Sequence, residues 1–150
     1  MSEHQKENII SLISLLTVST VYIIYVFSRY SSSSINAQEE LKYWAGAILL
    51  LIPIRIVLQI VLFILFKIIE GIFSNGKVLE EVKDERDRIV ELKGNVISNN
   101  IFIIGFAASM VAVFFFNSSI SAMFVIIFIA GYISEFIGII SKIYFYNKGI

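Results

Sequence analysis

The sequence predicts an all-α membrane protein: four transmembrane helices in an antiparallel bundle, the third extended into the cytoplasm by an amphipathic arm. Three observations carry that reading. Apolar runs cover about 9–27, 45–69, 96–116 and 120–146, and ~20 apolar residues at 1.5 Å each match the ~30 Å hydrocarbon core of a bilayer. The composition is 57% hydrophobic and 16% charged, with mean hydropathy +0.83, against about half apolar and a quarter charged in ordinary soluble domains. Arg55 and Glu135 each sit near the middle of an apolar run, where a charge is costly and therefore rare. The 150 residues hold these spans and short connections, so one transmembrane domain is expected over 1–150.

The first apolar run, about 9–27, is longer than the core of a secretory signal, and its leader MSEHQKEN is not clearly basic. Ser31–Ser34 offers no Ala-x-Ala cleavage pattern, so an uncleaved helix is expected. Its hydroxyls Ser11, Ser14, Thr17 and Thr20 suit close helix approach. The polar tract Ser31–Asn36 ends the span.

The second run contains Pro53, Arg55 and Gln59. Proline has no N–H and should kink the helix, freeing a carbonyl. Counted from Trp44, Arg55 lies roughly 16 Å deep at 1.5 Å per residue, near the midplane. Gln59 sits one turn below Arg55 on the same face.

Between the second and third runs, Lys77–Lys93 reads KVLEEVKDERDRIVELK. Val78, Leu79, Val82, Ile89, Leu92 and Val96 recur with helical spacing, while Glu80, Asp84, Asp87 and Glu91 share another face. An amphipathic arm over about 77–95 is therefore expected, begun after the breaker Ser74-Asn75-Gly76. Its charged face, with Asp84, Glu85, Arg86, Asp87, Glu91 and Lys93, is the candidate partner-binding surface. Carboxylates mixed with basic residues make a poor cation cage, so no metal site is expected there.

The third run carries small residues at Gly105, Ala107, Ala108, Ser109 and Ala112, and the fourth at Ala130, Gly131 and Gly138. Such faces let membrane helices approach closely. The intervening Asn117-Ser-Ser leaves room only for a turn, which makes these spans a hairpin. It also matches an N-glycosylation pattern, but the polar turn is the preferred reading. Tyr30, Tyr43, Trp44, Tyr144 and Tyr146 fall near the expected interfaces, where amphipathic rings anchor.

Glu135 lies at a depth similar to that of Arg55, and no other opposite charges share that level. The two are expected to face each other across a contact of spans 2 and 4. The pair reads either as structural or as part of an ion, proton or anion site. Lys6-Glu-Asn-Ile-Ile-Ser11 and Lys93-Gly-Asn-Val-Ile-Ser98 echo one another before spans 1 and 3. That would suit two parallel two-helix repeats, although four matches in six positions carry no weight alone.

Orientation follows the bias of lysine and arginine among short connections. Lys77, Lys83, Arg86, Arg88 and Lys93 lie in the middle connection, with Lys6, Lys142 and Lys148 on the same side; Arg29 and Lys42 lie opposite. Both termini are thereby expected in the cytoplasm, with the chain in the cell membrane.

There are no cysteines, and His4 is the single histidine. Thiolate metal sites, disulfides and thiol nucleophiles are excluded, no cofactor is expected, and nothing forms a catalytic constellation. The segment Asp84-Glu-Arg-Asp-Arg-Ile-Val-Glu-Leu-Lys-Gly94 resembles the signature of a family of small prokaryotic four-span membrane proteins of unknown function. That family carries an Asp-Glu-Arg run and a lysine before the third span, and a glutamate and terminal tyrosines in the last. Here these correspond to Glu135 and Tyr144-Phe-Tyr-Asn-Lys-Gly149. The chain departs at Gly94, where alanine is common, and at Asn147, where a basic residue is common. The resemblance implies topology and singles out Asp84, Glu85, Arg86, Lys93 and Glu135; it implies no activity.

The expected function is a non-enzymatic accessory or regulatory subunit presenting a charged cytoplasmic helix to a partner. The alternative is a small oligomeric transporter or channel using Arg55, Glu135 and Gln59. Expected partners are the lipid bilayer and another membrane or cytoplasmic protein, or a second copy of the chain, and no nucleic acid.

Overall fold

The computed structural model describes residues 3–30, 36–73 and 84–148. Among these, every element is helical: α1 (Glu3–Arg29), α2 (Ala37–Phe73), α3 (Glu85–Phe116) and α4 (Ile120–Lys148). All four are long and apolar enough to cross a membrane. The helices overrun their apolar runs because polar residues such as Gln, Glu and Lys continue a helix readily. At 37 residues, α2 is ~55 Å long at 1.5 Å per residue and continues through Pro53.

The helix ends are set by local chemistry. Asp84 is the N-cap of α3: its carboxylate accepts from the Glu85 N–H at 2.7 Å and from the Asp87 N–H, and the Asp87 carboxylate accepts from the Asp84 N–H at 2.9 Å. This reciprocal capping box satisfies donors that have no partner within the helix. At the other end Asn117 adopts φ 48° and ψ 37°, and its N–H returns to the Ala112 carbonyl. Asparagine tolerates that left-handed conformation better than most residues. Ser119 then starts α4, its hydroxyl accepting from the Ala122 N–H at 3.2 Å. The expected three-residue turn is thus a C-cap joined directly to an N-cap. The tract Ser31–Asn36 (apart from Asn36), the breaker Ser74-Asn75-Gly76 and the arm residues 77–83 lie outside the described residues.

α3 and α4 form the most extensive contact. Gly94 lies against Lys142 and Gly138, Ser98 against Gly138, and Gly105 against Ala130. Ala130, Ser134 and Gly138 repeat every fourth residue and are buried, so α4 turns a stripe of small side chains toward α3. In lipid, where apolar surface gains nothing by leaving its solvent, such close approach is what holds helices together.

α1 contributes Ser14, Leu15, Val18, Ser19, Tyr22 and Val26, a buried stripe with spacings of three and four. Of the hydroxyls singled out in the sequence, Ser14 is buried, whereas Thr17 and Thr20 are exposed. Thr17 bonds the Ile13 carbonyl of its own helix at 2.8 Å, so its hydroxyl is satisfied without a neighbouring helix. α2 is held most loosely; among its described side chains only Trp44 and Ala47 are buried. Large apolar side chains cover the exterior, with Ile104 70% and Phe114 79% exposed. That surface suits hydrocarbon rather than water.

The core sits toward the end of the bundle where α1 finishes and α2 and α4 begin. Tyr22, Val26, Trp44 and Ala47 pack there with Phe124, Val125 and Phe128. The expectation that Trp44 is an interfacial anchor is corrected here, while Tyr43 and Tyr30 are half-buried beside it. Trp44 is 1% exposed and stacks on Phe124 at 6.5 Å. The polar atoms of these rings find partners inside the protein: Trp44 Nε1 donates to Ser121 Oγ at 2.8 Å, and Tyr43 Oη to the Val26 carbonyl at 2.5 Å. A ring whose polar tip is satisfied internally gains by burial.

Candidate functional site

The charge on α2 meets the charge on α4. Arg55 Nη2 donates to Glu135 Oε1, and the side chains retain 25% and 35% of their exposure. Arg55 is carried there by a helix otherwise lined with Ile and Leu, and Glu135 by the helix whose small residues bring α3 close. Neither charge would sit cheaply beside lipid alone, and pairing is the direct remedy.

Glu135 also lines a polar cavity of about 370 Å³. On α4 the lining runs from Gly131 through Ser134, Glu135 and Gly138 to Lys142, residues three or four apart and so on one face. Glu135 and Lys142 are separated by ~10 Å along the axis at 1.5 Å per residue. Gln59 enters from α2, one turn from Arg55. From α1 come Asn8 and Ser11, and from α3 Asn95 and Ser98. The absent side chains of Gly131 and Gly138 leave room for these groups. Ser134 Oγ donates to the Gly131 carbonyl at 2.8 Å. Lys142, like Glu135, has a partner, so the cavity wall carries one charge of each sign amid amides and hydroxyls.

The opposite end of the bundle is closed by a second polar cluster. The Glu40 carboxylate accepts from Tyr30 Oη at 3.1 Å, from the Ser121 N–H at 3.1 Å and from Ser121 Oγ. Ser121 lies in the first turn of α4, where the helix dipole favours an anion. This cluster ties the end of α1 and the start of α2 to the start of α4. Sequence reasoning missed it, although Glu40 and Trp44, four apart, share a helix face.

The arm residues split by role. Asp84 and Asp87 build the capping box, and Asp87 is also hydrogen-bonded by the Tyr146 side chain. Arg86 Nη2 donates to the Tyr146 carbonyl at 3.1 Å, and Lys93 Nζ lies 5.4 Å over the Phe145 ring. Basic groups at the C-terminal end of α4 complement its dipole. Glu91 has a partner too, and Glu85 is exposed. Gln5 Nε2 reaches Asn147 Oδ1 at 3.0 Å, joining the start of α1 to the same end.

Among the described residues, no group of three or more His, Cys, Asp or Glu side chains could hold a metal ion. The cavity can offer hydrogen bonds to a polar molecule, and the carboxylate of the Arg55–Glu135 pair forms part of its wall. No family model, curated protein or solved structure matches this chain.

Proposed function

We propose that this chain is a small non-enzymatic multi-pass protein of the cell membrane that admits a small polar solute into its polar cavity and passes it across the bilayer. Its helices form an antiparallel bundle, with both termini and the connection between α2 and α3 in the cytoplasm. The observation that carries the reading is the cavity itself. Four helices each contribute polar side chains to one space that runs to the Arg55–Glu135 pair. Polar side chains gathered within membrane-spanning helices are costly and mark candidate solute paths. In this reading the aromatic core at the other end closes the path, and the cavity takes up water from one side. Passage then requires Trp44, Phe124 and Phe128 to part from one another.

The test is flux through the reconstituted full-length protein. Liposomes holding it should equilibrate at least one of potassium, chloride or glycerol several-fold faster than empty liposomes, and Ser11→Trp, which fills the cavity from α1, should remove the gain. Rates equal to those of empty liposomes for all three would sink the reading.

A second reading, an accessory subunit, is favoured by one observation: α2 presents nearly all its apolar side chains outward along its length. A second copy of this chain, or another membrane protein, would find there a continuous surface, and Glu85 and Arg88 remain exposed at the start of α3 for a cytoplasmic partner. Extraction in mild detergent followed by native mass measurement distinguishes a stoichiometric partner from a chain that travels alone.

A further inference from the structure

Asn8-Ile-Ile-Ser11 in α1 and Asn95-Val-Ile-Ser98 in α3 place the same two side chains, three residues apart, in the wall of one cavity. On a helix that spacing puts both groups on a single face, about one turn apart. Sequence similarity this short carries nothing alone, but the fold brings both copies to the same space. We infer that these two segments are matched walls of a binding site for a small uncharged solute that both donates and accepts hydrogen bonds, polyols being the simplest class. The inference rests on the reading of the cavity as a solute path and names what that path takes.

The chemistry of the wall selects the solute. Each asparagine offers an amide donor and a carbonyl acceptor, and each serine hydroxyl does both. Gln59 from α2 repeats the amide. Glu135 is bound by Arg55, and Lys142 also has an interaction partner. Glu135 and Lys142 put one charge of each sign on the same wall, so the lining has no net charge that would favour a cation or an anion. A neutral solute needs no such net charge, and its hydroxyls replace the water that they displace. The volume of about 370 Å³ falls within the roughly 300–1,000 Å³ typical of small-molecule sites. Gly131 leaves room beside the walls, and Gly138 lets Ser98 sit directly against α4.

The matched walls make a symmetric prediction that a structural role would not. In liposomes holding the full-length protein, glycerol should equilibrate several-fold faster than in empty liposomes, while potassium and chloride should not. Asn8→Leu and Asn95→Leu should each slow glycerol about fivefold or more, the loss of one hydrogen bond of ~1 kcal/mol. Asn8→Ser and Asn95→Ser, which keep a polar group, should retain most of the rate. Gel filtration and circular dichroism confirm that each variant is folded before its rate is read. If potassium or chloride passes and glycerol does not, the cavity is a path but the assigned solute is wrong. If glycerol passes and only one asparagine matters, the matched walls are wrong. If nothing passes, the solute path and this site fall together.

Discussion

Arg55 and Glu135 show how far two side chains constrain a bundle. A lone charge near the bilayer centre costs about 2.5–3.5 kcal/mol on insertion scales, and the partial exposure of this pair makes that an upper bound. Arg55→Leu or Glu135→Gln alone should therefore lower unfolding stability in detergent by about 1–3 kcal/mol, because the remaining partner is left unpaired. Arg55→Leu with Glu135→Leu should recover much of the loss; additive losses would mean that the two do not act as a pair. Their meeting was legible in the sequence, since they are the only opposite charges at one depth. The cavity beside them was not, because it depends on how four helices are rotated about their axes. Gly105 acts at the same scale. A Cβ there would overlap the Ala130 side chain, so Gly105→Val should cost about 1–3 kcal/mol as α3 is forced off α4, read from the same unfolding curves.

At the scale of elements, helix existence followed from apolar length alone, while helix ends and roles did not. The acidic residues Asp84 and Asp87 read from sequence as a face for a partner, and the structure uses them to cap α3. A capping box and a charged recognition face share the same residue types, so spacing could not separate them. Asp84→Ala should cost about 1 kcal/mol and speed amide exchange in the first turn of α3, leaving α4 unchanged. Slower or unaltered exchange at Glu85–Asp87 would remove the cap. Trp44 was assigned to the interface for a similar reason: from hydropathy, an aromatic at the end of a span has the same signature whether it anchors or packs. Its burial follows from Ser121 and Phe124, which lie far along the chain. The chain has one tryptophan, so its fluorescence reports that corner directly. Glu40→Ala removes the acceptor that holds Ser121 and Tyr30, and the emission of Trp44 should shift to the red as water enters. An unshifted spectrum would make Glu40 a bystander.

At the scale of the whole molecule, the two ends of the bundle differ in kind. One is closed by aromatic rings around Trp44 and tied by Glu40; the other holds amides, hydroxyls and the cavity that ends at the charged pair. That asymmetry is what a chain open to water from one side requires, and it turns the proposed function into a claim about where water stands. The chain lacks cysteine, so single cysteines report water without background, since maleimides react with the hydrated thiolate. The measurement to make is labelling of Ser11→Cys and Ser98→Cys with a membrane-impermeant maleimide in intact and opened membrane vesicles. The control positions are Ser109→Cys, fully buried, and Ile104→Cys, on the apolar exterior. Both cavity positions should label, from the same single side, while the two controls stay unreactive. Cavity cysteines as unreactive as Ile104→Cys would show that no water enters, and the polar site would be structural only.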